Sequence, residues 1–135
     1  MNHSPALLVG RILASVIFIT SGYGKAMAMA GTVAYLQKMG VPMPGIAYYG
    51  TVAVELGGGV LLLLGLQTRL VALVLALFCV ATAMVAHMDF AAPMQQINFM
   101  KNLAMAGGYL AFVAAGAGLY SLDAMIGTMG SRRQN

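Results

Sequence analysis

Long apolar stretches alternate with short polar breaks along this chain. From about Pro5 to Ala28 the residues are apolar or small and are interrupted chiefly by Arg11 and Lys25. A second run covers Ile46 to Leu66 with one charge, Glu55, and a third runs from Arg69 to about Met88 after the tight link Gln67-Thr68. A fourth runs from Met100 to Leu119. Roughly 20 apolar residues cross a bilayer core about 30 Å thick, so each run suffices for one crossing. The pattern predicts an all-α integral membrane four-helix bundle, a single membrane domain over residues 1–135. Its spans fall at about 5–28, 46–66, 69–88 and 100–119, followed by a polar tail over 120–135. So short a link between the second and third spans makes them antiparallel.

The breaks carry their own signals. Gly31 to Gly45 contains Gln37 and Lys38 and ends in Val41-Pro42-Met43-Pro44-Gly45. Val33, Leu36 and Met39 share one helical face there, with Thr32 as a cap, which predicts a short interfacial helix after the first span. Asp89 to Phe99, with Pro93, Gln95, Gln96 and Asn98, reads as a connection. Small residues let membrane helices approach closely. The stripe Ala104, Gly107, Ala111, Ala114 and Gly118, and the run Gly57-Gly58-Gly59, therefore mark helix contact faces, and a homo-oligomer is compatible with them.

Composition reinforces the membrane reading: 61% of residues are hydrophobic and 7% charged, against about a quarter charged in soluble domains. The net charge of +4 comes from scattered bases, which argues against nucleic acid and for contact with membrane lipids. Arg11, Arg69, Arg132 and Arg133 on one side outnumber Lys25, Lys38 and Lys101 on the other, favouring both termini on the cytoplasmic side. The first ten residues hold no Lys or Arg and Arg11 interrupts the apolar region, so the first run is read as a retained span and not as a cleaved leader.

Redox and metal chemistry are narrowly bounded. Cys79 is the single cysteine, and His3 and His87 are the only histidines. Neither a disulfide, an iron–sulfur cluster nor a haem ligand pair within the bundle can be built from these, so electron transfer requires a bound or borrowed redox group. Met27, Met29, Met39, Met43, Met84, Met88, Met94 and Met100 lie near one membrane face. Thioethers bind monovalent copper, but without a compact ligand box these methionines read as apolar filler, and no metal site is expected. Phosphate-cradling loops, nucleophile elbows and paired carboxylates are missing, which excludes a soluble-type hydrolase.

The remaining chemistry lies in a few polar residues. Glu55 is near mid-span, where it must be protonated, paired or facing a hydrated cavity; Thr51 lies one turn away. Arg11, Ser15, Phe18, Gly22 and Lys25 form one stripe on the first span, and Arg11 is expected to extend toward Glu55, a pair that would hold two helices in register. Lys25, His87 and Lys101 fall at the opposite membrane face from the termini, with Asp89, Gln95, Gln96 and Asn98. That group suits the polar head of a lipid-soluble molecule, His87 exchanging a proton and Lys101 offering charge. The competing structural reading has both lysines snorkelling and His87 capping a helix.

In order and spacing, Arg11, Ser21-Gly22, Lys25, Gly40-Val41-Pro42, Glu55-Leu56-Gly57-Gly58, Gly65, Thr68-Arg69, His87, Lys101-Asn102-Leu103, Gly107-Gly108 and Ser121-Leu122-Asp123 resemble the DoxX family. The resemblance covers residues 7–124. It implies a multi-pass bacterial inner-membrane protein, quinol oxidase-like or a membrane part of an oxidoreductase system. A quinone, a redox partner protein, proton-handling roles for Glu55 and His87, and headgroup-positioning roles for Arg11, Lys25 and Lys101 follow as expectations. Two alternatives stand beside this: a noncatalytic membrane scaffold that recruits a redox or stress-defence partner, and a small-solute transporter.

Overall fold

A computed structural model describes residues 3–132, with side chains described through residue 127. The side chain of Arg132 and all of Arg133, both used in the orientation argument, lie outside the described residues. The described chain is helical with short turns. Helix α1 spans Ser4–Met27 and is followed, after a break at Ala28, by the short α2, Met29–Lys38. Helices α3 (Pro44–Val52) and α4 (Gly58–Leu64) are joined by a π-helical turn, Ala53–Gly57, into one continuous rod. Helix α5 spans Thr68–Ala86, α6 Gln95–Ala115 and α7 Leu122–Arg132.

Three of these rods, Ser4–Met27, Pro44–Leu64 and Thr68–Ala86, are long and apolar enough to cross a membrane. Helix α6 has 21 residues, about 30 Å at the α-helical rise, but its first turns carry Gln95, Gln96, Asn98, Lys101 and Asn102. It begins inside the segment expected to be a connection. Met94 turns the chain in a left-handed conformation, and the Asn98 amide closes the first turn on the Met94 carbonyl at 3.0 Å. Its polar first turns are accommodated because several of these side chains face a cavity and not lipid. At the other end Gly116 and Gly118, with φ of +78° and +77°, stop the helix before the expected boundary. The segment after Tyr120, expected as a polar tail, forms α7.

Helix α6 packs along α5 in antiparallel fashion, tied at both ends. The His87 ring meets Gln95 at one end, and Arg69 donates to the Val113 and Ala114 carbonyls, at 2.6 and 2.8 Å, at the other. Helix α1 lies against the π turn and α4. There the backbones approach so closely that a Cβ on Gly22 would stand 2.5 Å from the Leu56 nitrogen, and one on Gly59 3.1 Å from the Ile19 nitrogen. These glycines remove side-chain bulk where dispersion between helices holds a membrane bundle together. Gly107 has nothing within 4 Å of an added Cβ, and Ala104, Ala111 and Ala114 are exposed, so the small stripe of α6 does not face another helix of this chain.

The core is formed by Phe18, Leu62, Val71, Ala72, Leu75, Ala76, Cys79, Ala106 and Tyr109. Phe18 meets Phe78 and Tyr109 with ring centroids 6.0 and 5.5 Å apart, and the Tyr109 hydroxyl donates to the Ala14 carbonyl at 2.7 Å. Leu13, Leu64, Leu70, Leu77 and Leu110 point outward, an apolar exterior suited to acyl chains.

One end of the bundle is fastened by charges placed at helix termini. Helix ends leave backbone groups without intrahelical partners and carry partial charges. Fully buried Arg11 donates to the Leu62 and Leu63 carbonyls at 3.2 and 3.0 Å, at the C-terminal end of α4, and to the Tyr120 carbonyl. Asp123 accepts from the Gln67 and Thr68 backbone amides at 2.7 and 2.9 Å, at the N-terminal end of α5. Arg69 neutralises the C-terminal carbonyls of α6. Each charge has the sign its helix end requires.

Candidate membrane headgroup site

At the opposite end from these clamps, α1, α2, α3, the π turn, α5 and α6 line a half-open cavity of about 580 Å³. Its polar part includes Ser21, Lys25, Glu55, His87, Asn98 and Lys101. Its apolar part includes Ile17, Phe18, Leu36, Phe78, Val85 and Met105. The volume falls in the range of small-molecule sites, about 300–1,000 Å³. Helix α2 contributes Thr32, Tyr35 and Leu36, so the predicted short helix forms part of the wall. Thr32 does not serve as its N-cap: its hydroxyl donates back to the Ala28 carbonyl at 2.9 Å from within the helix.

Glu55 sits on the π turn with its side chain 7% exposed. Both carboxylate oxygens accept from the Lys25 ammonium, at 2.9 and 2.8 Å, and the same nitrogen donates to the Ser21 hydroxyl at 2.6 Å. Three acceptors thus match the three donors of the ammonium. The π turn matters because one extra residue in the ring of hydrogen bonds displaces the side chains around it, a distortion recurrent at functional sites. Thr51 lines the cavity, one turn before Glu55.

The pairing of Arg11 with Glu55 expected from sequence does not form. Helix α1 and the α3–α4 rod run antiparallel, so the start of α1 meets the end of α4, and Arg11 is committed to carbonyls there. Glu55 instead meets the later half of α1, where a Cβ on Gly22 would lie 3.0 Å from the Glu55 Cβ. Lys25, one turn beyond Gly22, is the base within reach. Arg11 is not among the residues lining the cavity.

His87 ends α5, and its Nδ1 lies 2.7 Å from Gln95 Oε1. An amide oxygen only accepts, so Nδ1 carries the proton in this contact and Nε2 is the basic nitrogen of the neutral ring. Lys101 is exposed at the cavity wall, one turn after Asn98 and adjacent to Asn102. The fold thus brings together Lys25, Glu55, His87 and Lys101, while Asp89 and Gln96 stay out of the lining. Ser21, Asn102, Tyr35 and Thr82 join them, and the sequence reading missed them as site residues. The position of Ser21 one helical turn before Lys25 was the signal available for it. Among the described residues no three His, Cys, Asp or Glu side chains converge as a metal site.

The family model described as DoxX matches residues 6–88, which run from α1 through α5 and include Arg11, Lys25, Glu55 and His87. The chain is 42% identical to the "Inner membrane protein YqjF" of Escherichia coli (strain K12) over 120 residues, 89% of this chain and 91% of that protein. It is 37% identical to the "Inner membrane protein YphA" of the same organism over 123 residues, 87% of each chain. A shorter match, 37% over 70 residues, covers 52% of this chain and 51% of a Bacillus subtilis (strain 168) protein named "Putative oxidoreductase CatD". No solved structure matches the chain. A family match over more than half the chain, relatives aligned along nearly their whole length and an apolar helical bundle agree: the protein belongs to the DoxX family.

Proposed function

We propose that this protein is a multi-pass inner-membrane component of an oxidoreductase system, and that its cavity receives the headgroup of a quinone or quinol. The observation that carries the reading is one cavity with Lys25, Glu55, His87 and Lys101 at its polar part and aromatic and aliphatic side chains elsewhere. The donor set fits such a group: ammonium and amide donors suit ring oxygens, and Phe18, Phe78 and Met105 suit a ring face and an isoprenoid tail. A bound quinone would supply the two-electron chemistry that this chain's side chains lack, with a partner protein as the source or sink of electrons.

The chain's own residues would then divide the work. Lys101 orients the headgroup oxygens, and Lys25, whose three donors are engaged by Ser21 and Glu55, joins it by exchanging the Ser21 contact for one to the headgroup. His87, its ring fixed by Gln95, offers Nε2 as a proton acceptor within reach of solvent at the membrane face. Glu55 holds Lys25 in place and takes up a headgroup proton by relay, the ammonium passing its own proton to the carboxylate as the amine so formed accepts one from the headgroup. Arg11 is given a structural role here, since it is consumed by carbonyls at the other end of the bundle. The end of the bundle that holds Arg11 and Arg69 is proposed to face the cytoplasm, as the count of basic residues along the sequence favours.

The test is quinone binding by the purified full chain in nanodiscs, read by native mass spectrometry and by titration. The expected result is saturable binding by the wild type, weakened about tenfold or more in Glu55→Gln and His87→Ala, with helical content preserved and affinity read on the folded fraction. Unchanged affinity in both variants, or no saturable binding by the wild type, refutes the reading.

A further inference from the structure

The charges around the cavity do not balance. The sequence has three acidic side chains, Glu55, Asp89 and Asp123. Glu55 is taken by Lys25, and Asp123 caps α5 at the far end of the bundle. Asp89 is exposed in the turn between α5 and α6 and does not line the cavity. The titratable groups facing the cavity are Lys25 and Glu55, which cancel, His87 and Tyr35, and Lys101. No carboxylate of the described residues forms an ion pair with Lys101.

The Lys101 ammonium is exposed at the rim, and the apolar walls beside it screen a charge in the cavity less than bulk water does. A neutral headgroup leaves it unpaired, whereas an anionic one neutralises it and gains a charge-assisted hydrogen bond. Asn98 and Asn102, on the same helix, add polar groups beside it. We infer, on the reading that the cavity receives a quinone-type headgroup, that it selects headgroups bearing an ionised ring hydroxyl, with Lys101 as the residue that determines this specificity. The hydroxyl proton goes either to water at the membrane face or to His87 Nε2, so the ligand is held as an ion pair with Lys101.

The experiment compares two probes on the full chain in nanodiscs of zwitterionic lipid at neutral pH. One is an alkylated hydroxynaphthoquinone, ionised under these conditions, and the other its O-methyl ether, which cannot ionise. Partition into empty nanodiscs is subtracted. The wild type should prefer the ionised probe by about ten- to hundredfold, the range of one hydrogen bond to a charged group. Lys101→Gln should reduce the preference to within about threefold, and Lys101→Arg should retain it. The Lys101 side chain is exposed and makes no hydrogen bond within the described residues, so both variants should keep the wild-type melting temperature. Equal saturable binding of both probes by the wild type overturns the anion selectivity and leaves the quinone reading standing. A preference that survives Lys101→Gln overturns the role of Lys101, and absence of saturable binding of either probe removes both proposals.

Discussion

Replacing Arg11 by Met separates the two ends of the bundle. The guanidinium makes three hydrogen bonds, to the Leu62, Leu63 and Tyr120 carbonyls, from a position with no solvent exposure. Hydrogen bonds to a charged group contribute about 1.5–3 kcal/mol each, so their loss would cost roughly 5–9 kcal/mol. Against that, removing the buried charge recovers several kcal/mol of desolvation, leaving a net loss of about 2–4 kcal/mol. In a maltoside micelle the melting temperature should fall by on the order of 10 °C. Arg11→Lys should be intermediate, because a point-like ammonium on a shorter reach cannot fork to three acceptors. Quinone affinity of the folded fraction should stay at the wild-type value, since Arg11 is outside the cavity lining. Wild-type melting combined with lost quinone binding would refute this division of labour and return Arg11 to the ligand site.

Gly22→Ala should destabilise by about 1–3 kcal/mol, because its methyl would stand 2.5 Å from the Leu56 nitrogen and force α1 off the π turn. Gly24→Ala, with nothing within 4 Å, is its control and should be neutral or stabilising in the same melt. For Lys25→Met and Glu55→Gln a double-mutant cycle should give a coupling of about 1–3 kcal/mol, reduced from the range for wholly buried pairs because Lys25 is 30% exposed; additive losses would deny the ion pair. Burial raises the pKa of Asp123, but the backbone amides of Thr68 and Gln67, with Arg11 nearby, outweigh it and hold the carboxyl below its ordinary value. A folded value below the unfolded one means that this stabilisation is complete above about pH 4 and is lost as pH falls through the folded value. Wild-type stability should therefore decline on acidification below about pH 4 by a component missing from Asp123→Asn, and parallel profiles would show that the carboxylate does not fasten α5.

Hydrophobic runs alone determined the helical membrane class, the positions of the first three rods to within a turn, and the level at which Lys25, His87 and Lys101 gather. Those features follow from the cost of placing polar backbone in lipid, which acts on each segment separately. The partners of the charges could not be read that way. Glu55 is at bonding distance from Lys25, and Arg11 from three carbonyls, because the antiparallel register of α1 against α3–α4 and the π turn at Glu55 decide which groups share a level. Register is fixed by close approach at Gly22 and Gly59, a property of two helices at once. The start of α6 at Gln95 was hidden for a related reason: its polar first turns look like a loop until His87 is there to meet Gln95 and the cavity is there for Asn98, Lys101 and Asn102 to face. Asp123 was legible as a motif residue, but its task of capping α5 exists only once the chain has returned to Gln67 and Thr68. Sequence identified the charged residues that demand partners, and the tertiary structure chose the partners, since electrostatic pairing depends on distances of a few ångströms that no linear spacing between helices fixes.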